Sequence, residues 1–344
     1  MGWESKDNPD SVTPWVDTGR VAKTTIASLS REITTEAEAY AYLEDLRWRG
    51  CPTCAHCQGL DVYLIVPKNG VSRATRTGAQ SERRVWKCRE CGQQFSVLTG
   101  TVMHRTKISV RTWVLVFFEF VASKNGMAAR EVERKYGVCP RSAWFMLHRI
   151  REAMTADGPL STMRGTIVAD ETHVGGDPGN RHNRKFYSNF STKTDKTTVF
   201  SLINAETGEV RSRVVPNVTG HTMRKAIAEQ VDMAGSVLHT DAAFHYRQLG
   251  QEFLRHEWVD HSAREYVRGN VSTNKAEGYF AQLKRSLDGT HHHVSKEHLP
   301  RYLAEFDFRY STCRTSDTAR MAHLLGQVEG RLTYKMTKGS SPAR

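Results

Sequence analysis

The 344-residue sequence predicts a mixed α/β protein with a small cysteine-rich module at its front, on three observations. Two Cys-x-x-Cys pairs, Cys51/Cys54 and Cys88/Cys91, bracket short strand-like runs. The middle of the chain carries helical periodicity. The second half alternates strand-like runs with helices, and two of those runs stop on an aspartate.

Taken in order, residues 1–34 mix Gly, Pro, Ser and Thr without periodicity and are expected to be a flexible arm. From Thr35 to Trp48 the spacing of Ala39, Tyr42, Leu43 and Leu46 fits an amphipathic helix. It leads into the cysteine module, expected over residues 35–105. Val62 to Val66 and Val85-Trp86-Lys87 read as two strands joined by a Gly/Arg/Ser-rich loop. Knuckle, hairpin and knuckle together make a zinc ribbon: each Cys-x-x-Cys turn presents two thiolates, and two such turns close a tetrahedral Zn²⁺ site with a structural role. The expected ligands are Cys51, Cys54, Cys88 and Cys91, because Cys51-Pro52-Thr53-Cys54 mirrors Cys88-Arg89-Glu90-Cys91. Cys57 stands at the same spacing from Cys54, with His56 between them, so a second pairing is open.

Residues 106–160 are expected to be helical. Trp113 to Ala122 is strongly apolar, Met127 to Tyr136 follows a Gly-containing turn, and Arg141 to Ala153 forms a further, basic helix. The last two make a helix-turn-helix pattern that would bring Arg141, Ser142, Trp144, His148 and Arg149 near a DNA groove. An ordinary helical hairpin packed between domains is the competing reading.

Over residues 161–312, Thr166 to Ala169 is a strand stopping on Asp170, and Thr198 to Ile203 pairs with Val210 to Val215 as a hairpin. A helix from about Thr222 to Met233 precedes the strand Ser236 to Thr240, which stops on Asp241. A strand from Glu257 to Asp260 and a helix from Asn274 to Leu287 complete a mixed sheet with helices on its faces. Asp170 and Asp241 would sit at carboxyl ends of strands, where open sheets place ligands. Glu277 would approach from its helix, with Lys284 two turns further along the same face. Three converging carboxylates repel one another unless cations lie among them. Two Mg²⁺ or Mn²⁺ ions meet that need and suit phosphodiester chemistry. Residues 313–344 are expected to be a helix and a disordered tail.

Composition points to the partner. Forty-nine Lys and Arg against thirty-seven Asp and Glu give a net charge of +12 and a pI near 9.4, so a polyanion, double-stranded DNA first, is expected. No apolar run is long enough to span a bilayer and Met1 to Asp10 lacks a signal-peptide core, so a cytoplasmic, nucleoid-associated protein with no membrane partner is expected. Seven cysteines there do not make a disulfide framework.

The motifs WRGCPTC, WKCRECGQQFSVLTGT, VADETHVGG, VLHTD and TNKAEGYFAQLKRSL, followed by GTHHHVSKEHLPRYLAEFDFRY, resemble the zinc-ribbon DDE transposases of bacterial insertion sequences over residues 35 to 312. The resemblance implies an RNase H-like core in which Asp170, Asp241 and Glu277 bind divalent metal and Lys284 is a helper cation. It also implies binding to terminal inverted repeats, 3′-OH release, joining to target DNA, and a homodimer or larger assembly. Asn274, one turn before Glu277, is an alternative third ligand. Arg181, Arg184 and Lys185 in the basic stretch 181–196, together with Arg285 and a turn containing His292, are further expected DNA contacts beside Arg141, Arg149 and Asn274. The rival readings are a DNA-binding regulator without catalysis and a metal-dependent nuclease that cuts without joining.

Overall fold

A computed structural model describes residues 24–66, 74, 81–155, 162–175, 196–330 and 332–333, and within them helices precede the sheet. The first helix, α1 (Ile26–Glu32), lies inside the stretch expected to be a flexible arm. Thr25 and Ser28 form its capping box, and Leu29 and Ile33 bury themselves in the helical core, which fixes the segment. A second box, Thr35 with Glu38, opens α2 (Glu36–Trp48).

The expected ribbon follows as three short antiparallel strands: β1 (Val62–Leu64), β2 (Trp86–Cys88) and β3 (Gln94–Phe95). Its apolar face is closed by Trp48, whose ring meets Trp86 at 5.6 Å and Phe95 at 6.0 Å, both edge-on. Glu44 of α2 accepts hydrogen bonds from Trp86 Nε1 and Arg84 Nε, each at 2.8 Å, so the ribbon is tied to the helix before it.

The apolar helix α3 (Val110–Ala122) is the centre of the helical part, with Trp113, Val114, Val116, Phe117 and Phe120 all buried. Around it pack α4 (Ala129–Tyr136) and α5 (Pro140–Thr155). Gly137, at φ 65°, ends α4 in the left-handed conformation that suits glycine, and its N–H bonds Glu133 O at 2.9 Å. The two helices and their turn are present, but the groove-facing surface expected on α5 is not. His148 is 0% exposed and Arg149 8%. Arg149 donates to His104 O at 2.6 Å and stacks over Phe145 and Trp113, while the His148 ring lies 4.1 Å from that of Trp144 and 4.9 Å from that of His298. Both residues are packing groups here.

The sheet has the order β6-β5-β4-β7-β8, built from β4 (Met163–Val174), β5 (Thr197–Asn204), β6 (Val210–Val215), β7 (Val231–Asp241) and β8 (Arg255–Val259). The first three strands are antiparallel, and β4, β7 and β8 run parallel. This mixed sheet fits the RNase H-like core that the resemblance implies. The intervening α6 (Gly220–Ala228) is shorter than expected because β7 already begins at Val231, pairing with Met163. Two cores cover the sheet. Ile167, Ala169 and Leu238 face α6 and α7 (Phe244–Leu249), while Val168, Val199 and Ile203 face α8 (Asn274–Ser286) and α9 (Leu299–Ser311).

Helical part and sheet are joined through a buried ion cluster. Glu305 of α9, 0% exposed, receives Arg151 Nε at 2.6 Å and Arg309 Nη2 at 2.7 Å, and Arg309 also donates to Phe120 O and Ser123 O of the α3 end. The last helix, α10 (Asp317–Gly326), returns to the helical core, and Val102 N–H bonds Val328 O at 2.8 Å. No helix among the described residues is long and apolar enough to cross a membrane.

Candidate functional site

Four cysteine sulfurs lie within 4.8 Å of one another, those of Cys54, Cys57, Cys88 and Cys91. Cys51 is outside the set, which corrects the expected ligand list. Two turns of the same shape explain why. Gln58 N–H bonds Cys54 O at 3.0 Å, and Gly92 N–H bonds Cys88 O at 3.1 Å, with both turn residues in the left-handed region, at φ 62° and 71°. The knuckle therefore runs from Cys54 to Gln58, whereas Cys51 is exposed in the segment leaving α2. The Cys-x-x-Cys-Gly pattern at Cys88 held the signal, since a turn-permissive pair, Gln58-Gly59, follows Cys57 and a threonine-alanine step surrounds Cys54. Across the cluster Cys54 Sγ stands 3.7 Å from Cys91 Sγ, and Cys57 Sγ 3.6 Å from Cys88 Sγ. Burial pushes the Cys54 thiol up, but backbone N–H groups of Cys57 and His56 outweigh it and bring it down to about 7. Four sulfurs at this separation fit Zn²⁺.

The acids occupy the α8 face of the sheet. Pairing of β4 with β7 reaches Val168↔His239, and Asp170 and Asp241 each lie two residues beyond, level with one another on adjacent parallel strands. Strand alternation gives Asp170 the side of Val168, which packs against α8, and gives Asp241 the side opposite Leu238. Asp241 ends its strand as expected, but Asp170 does not: β4 continues to Val174 because β5 extends the antiparallel ladder to Val174↔Thr197. Asp170 thus stands inside a strand, just past its last pair with the parallel neighbour β7.

Glu277 is on the first turn of α8, whose Ala276, Tyr279, Phe280 and Leu283 form the buried side. Its Oε1 is 3.8 Å from His261 Nε2, and His261 in turn lies 3.1 Å from the buried Thr273 hydroxyl. Burial pushes the Asp170 carboxyl up to about 7; the Glu171 N–H opposes the rise, and the charges of Glu171, Asp241 and Glu277 add to it. The charges of Asp241 and Glu277 therefore reach Asp170. The three acids do not gather as tightly as the thiols, which are the set of ligand atoms within 4.8 Å among the described residues.

Behind Asp170, on the opposite face, Glu171 accepts a hydrogen bond from Tyr246 Oη at 2.6 Å and lies 3.5 Å from His245 Nε2. Burial pushes Glu171 up, yet His245 and the Tyr246 hydroxyl hold it below the usual carboxylate range. Sequence reasoning passed over Glu171, Tyr246 and His261. Strand alternation after Asp170 was the one available signal, for Glu171 alone.

Lys284, Arg285 and Asn274 are exposed on α8, and His292 is exposed just after it, at φ 56°. Arg141 is exposed at the start of α5. Arg181, Arg184 and Lys185 lie outside the described residues. His239, 5% exposed, faces Glu257 at 3.4 Å as a packing group.

Two family models match: an ISXO2-like transposase domain over residues 162–311 and a transposase zinc-ribbon domain over residues 34–94. An uncharacterized protein in transposable element ISH50 of Halobacterium salinarum is 26% identical over 294 residues, covering 83% of this chain and 94% of that protein. A chain of the cryoEM structure of a simian T-cell lymphotropic virus intasome in complex with PP2A regulatory subunit B56 gamma is 13% identical, covers 57% of this chain and 64% of its own, and has a TM-score of 0.27, too low to bear on the argument. The chain thus carries, over residues 34–94 and 162–311, the zinc-ribbon and DDE transposase domains of insertion-sequence transposases.

Proposed function

We propose that the protein binds the terminal inverted repeats of its insertion sequence, cuts at the element's ends and joins the freed 3′ ends to target DNA. The observation that carries this reading is the level placement of Asp170 and Asp241 on adjacent parallel strands, on the face where α8 brings Glu277. In the cutting step a water oxygen attacks the phosphorus and the bond to O3′ breaks, leaving a 3′-OH. In the joining step that hydroxyl attacks a target phosphodiester at the same carboxylates.

Asp170, Asp241 and Glu277 would hold two divalent ions, Mg²⁺ or Mn²⁺, with Asn274 close enough in sequence to share the site. Bound there, such ions activate the attacking oxygen and stabilise the leaving one. Asp170 is half-buried, which reduces screening of its charge by bulk water. Lys284, two helical turns from Glu277, holds a DNA phosphate, and Arg285, His292 and Arg141 add backbone contacts from exposed positions. The ribbon, held by zinc, presents the DNA-binding front of the chain. Two ends must be joined together, so a dimer or larger assembly forms on DNA, in the cytoplasm and on the nucleoid.

A strand-transfer assay tests this: labelled DNA from the flanks of the gene as donor, a plasmid target, Mg²⁺, and wild type beside Asp170→Asn. Joined product from wild type alone is the expected result. Donor bound by both proteins and cut by neither would point to a regulator, and cutting without joining to a nuclease.

A further inference from the structure

Between the ribbon and the start of α3 lies a cleft of about 290 Å³ whose wall includes Arg83, Ser96, Thr99, Arg105 and Lys107. Arg83, Arg105 and Lys107 are exposed, and none of them has a carboxylate partner among the described residues. The carboxylate in the cleft wall, Glu36, is already satisfied there: its oxygens accept from the first N–H groups of α3, Val110 at 2.6 Å and Arg111 at 3.2 Å. Ser96 is 1% exposed, and its buried hydroxyl has no hydrogen-bond partner. A buried hydroxyl without a partner is uncommon in a folded protein and asks for a ligand or water.

The segment carrying two of the cations is held stiffly. Arg105 sits at φ 54°, a left-handed conformation that a side chain adopts only when its surroundings impose it. His104 N–H bonds Thr101 O, Thr106 N–H bonds Met103 O, and Arg149 clamps His104 O from α5. Arg149, expected from its sequence position to touch DNA, thus braces the loop that displays Arg105 and Lys107. Thr99 is also prepared: its oxygen already accepts from Ser96 N–H at 2.9 Å, leaving its hydroxyl proton to donate.

We infer that this cleft takes a phosphate of the duplex DNA backbone, with Arg105 and Lys107 as the principal contacts and Ser96 and Thr99 as hydroxyl donors. The inference deepens the DNA-binding reading above and rests on it. Three cations without a carboxylate partner among the described residues, two of them on a braced loop, in a chain of net charge +12, suit a polyanion that runs across the cleft better than a single small anion.

The test uses the full-length protein, fluorescence anisotropy, and two labelled duplexes, one from the element's end and one unrelated, over a series of salt concentrations. Arg105→Gly removes the charge while relieving the left-handed backbone, so its melting temperature should hold or rise; Lys107→Ala is the second variant. Each should weaken binding to both duplexes about three- to tenfold and lower the slope of log affinity against log salt by about one. Wild-type affinity and slope in both variants would overturn the inference. So would a loss confined to the element's end, which marks base reading. Inorganic phosphate alone, titrated by calorimetry, supplies the other arm: binding lost in Arg105→Gly while DNA affinity stays intact would mean a free-anion site and also overturn it. Wild type binding neither duplex is a separate result, which defeats the transposase reading itself.

Discussion

Asp170 and Asp241 stand level on neighbouring parallel strands, each two residues past the paired Val168 and His239. The register of β4 against β7 sets their separation, so anything that shifts one strand against the other moves one acid relative to its partner.

Asp170→Asn and Asp241→Asn should each lower cutting by roughly a thousandfold, since metal-held charge stabilisation amounts to several kcal/mol and each 1.36 kcal/mol is tenfold in rate. Duplex binding should stay within about twofold of wild type, because phosphate contacts elsewhere carry the affinity. Gel-based cutting assays and anisotropy on the same preparations measure both. A variant that cuts normally would remove that residue from the site.

Cys57→Ser should lose its zinc and Cys51→Ser should retain it, measured by metal analysis of purified protein. The four-sulfur set contains Cys57 and leaves Cys51 exposed outside it. A strong chelator should unfold the ribbon strands in wild type, because a structural zinc site supplies folding energy that a module this small cannot replace. Equal zinc loss in both variants would restore Cys51 to the ligand set.

Tyr246→Phe should lower cutting about tenfold to a hundredfold, the usual effect of losing a group that orients a metal-binding segment. The Tyr246 hydroxyl ties Glu171 at 2.6 Å, and so ties the strand of Asp170 to the helix that follows Asp241. The midpoint for Mn²⁺ binding, followed by titration calorimetry, should weaken in parallel, which a general loss of stability would not produce. Unchanged metal affinity with a lowered melting point would leave Tyr246 as a packing residue.

Stability should fall in acid through Glu305. Burial pushes that carboxyl up, but the Arg151 and Arg309 guanidiniums overcome it and hold it down to about 2. A folded-state value below the ordinary 4.5 stabilises the protein above that pH, and the contribution is lost as pH falls from 4.5 toward 2. Asp307, pushed up to about 7 by burial, acts in the opposite sense at higher pH and is constant below its ordinary 3.8. Asp307 and Asp170, both raised to about 7, gain stability over part of the same range, so the Glu305 contribution is read as a difference: from pH 5 to 3 the wild type should lose about 2 kcal/mol of urea stability relative to Glu305→Gln, in which the two aspartates behave alike. Glu305→Gln should be less stable at pH 7 by about 3–5 kcal/mol, since it leaves two buried guanidiniums facing each other.

Much of this could be read along the chain. The ribbon strands, the apolar α3, the hairpin of β5 and β6, and a sheet carrying two aspartates all follow from local patterns whose partners are close in sequence or repeat with period two or 3.6. Less legible were features decided by distant partners. Asp170 lies mid-strand because β5 extends the ladder, and α1 is ordered because Leu29 and Ile33 reach a core built from residues far downstream. His148 and Arg149 look like groove-facing residues by spacing, yet α9 and the segment after the ribbon bury them.

By itself the sequence determined the kind of chemistry: thiol pairs at ligand spacing, three acids and a basic surplus are properties of residue type and order. Only the tertiary structure decided which atoms meet. The choice of Cys57 over Cys51 depends on where a left-handed turn closes, and the level placement of Asp170 and Asp241, seventy-one positions apart, on the register of two strands. Such choices turn on backbone conformation and long-range packing, which no local pattern encodes.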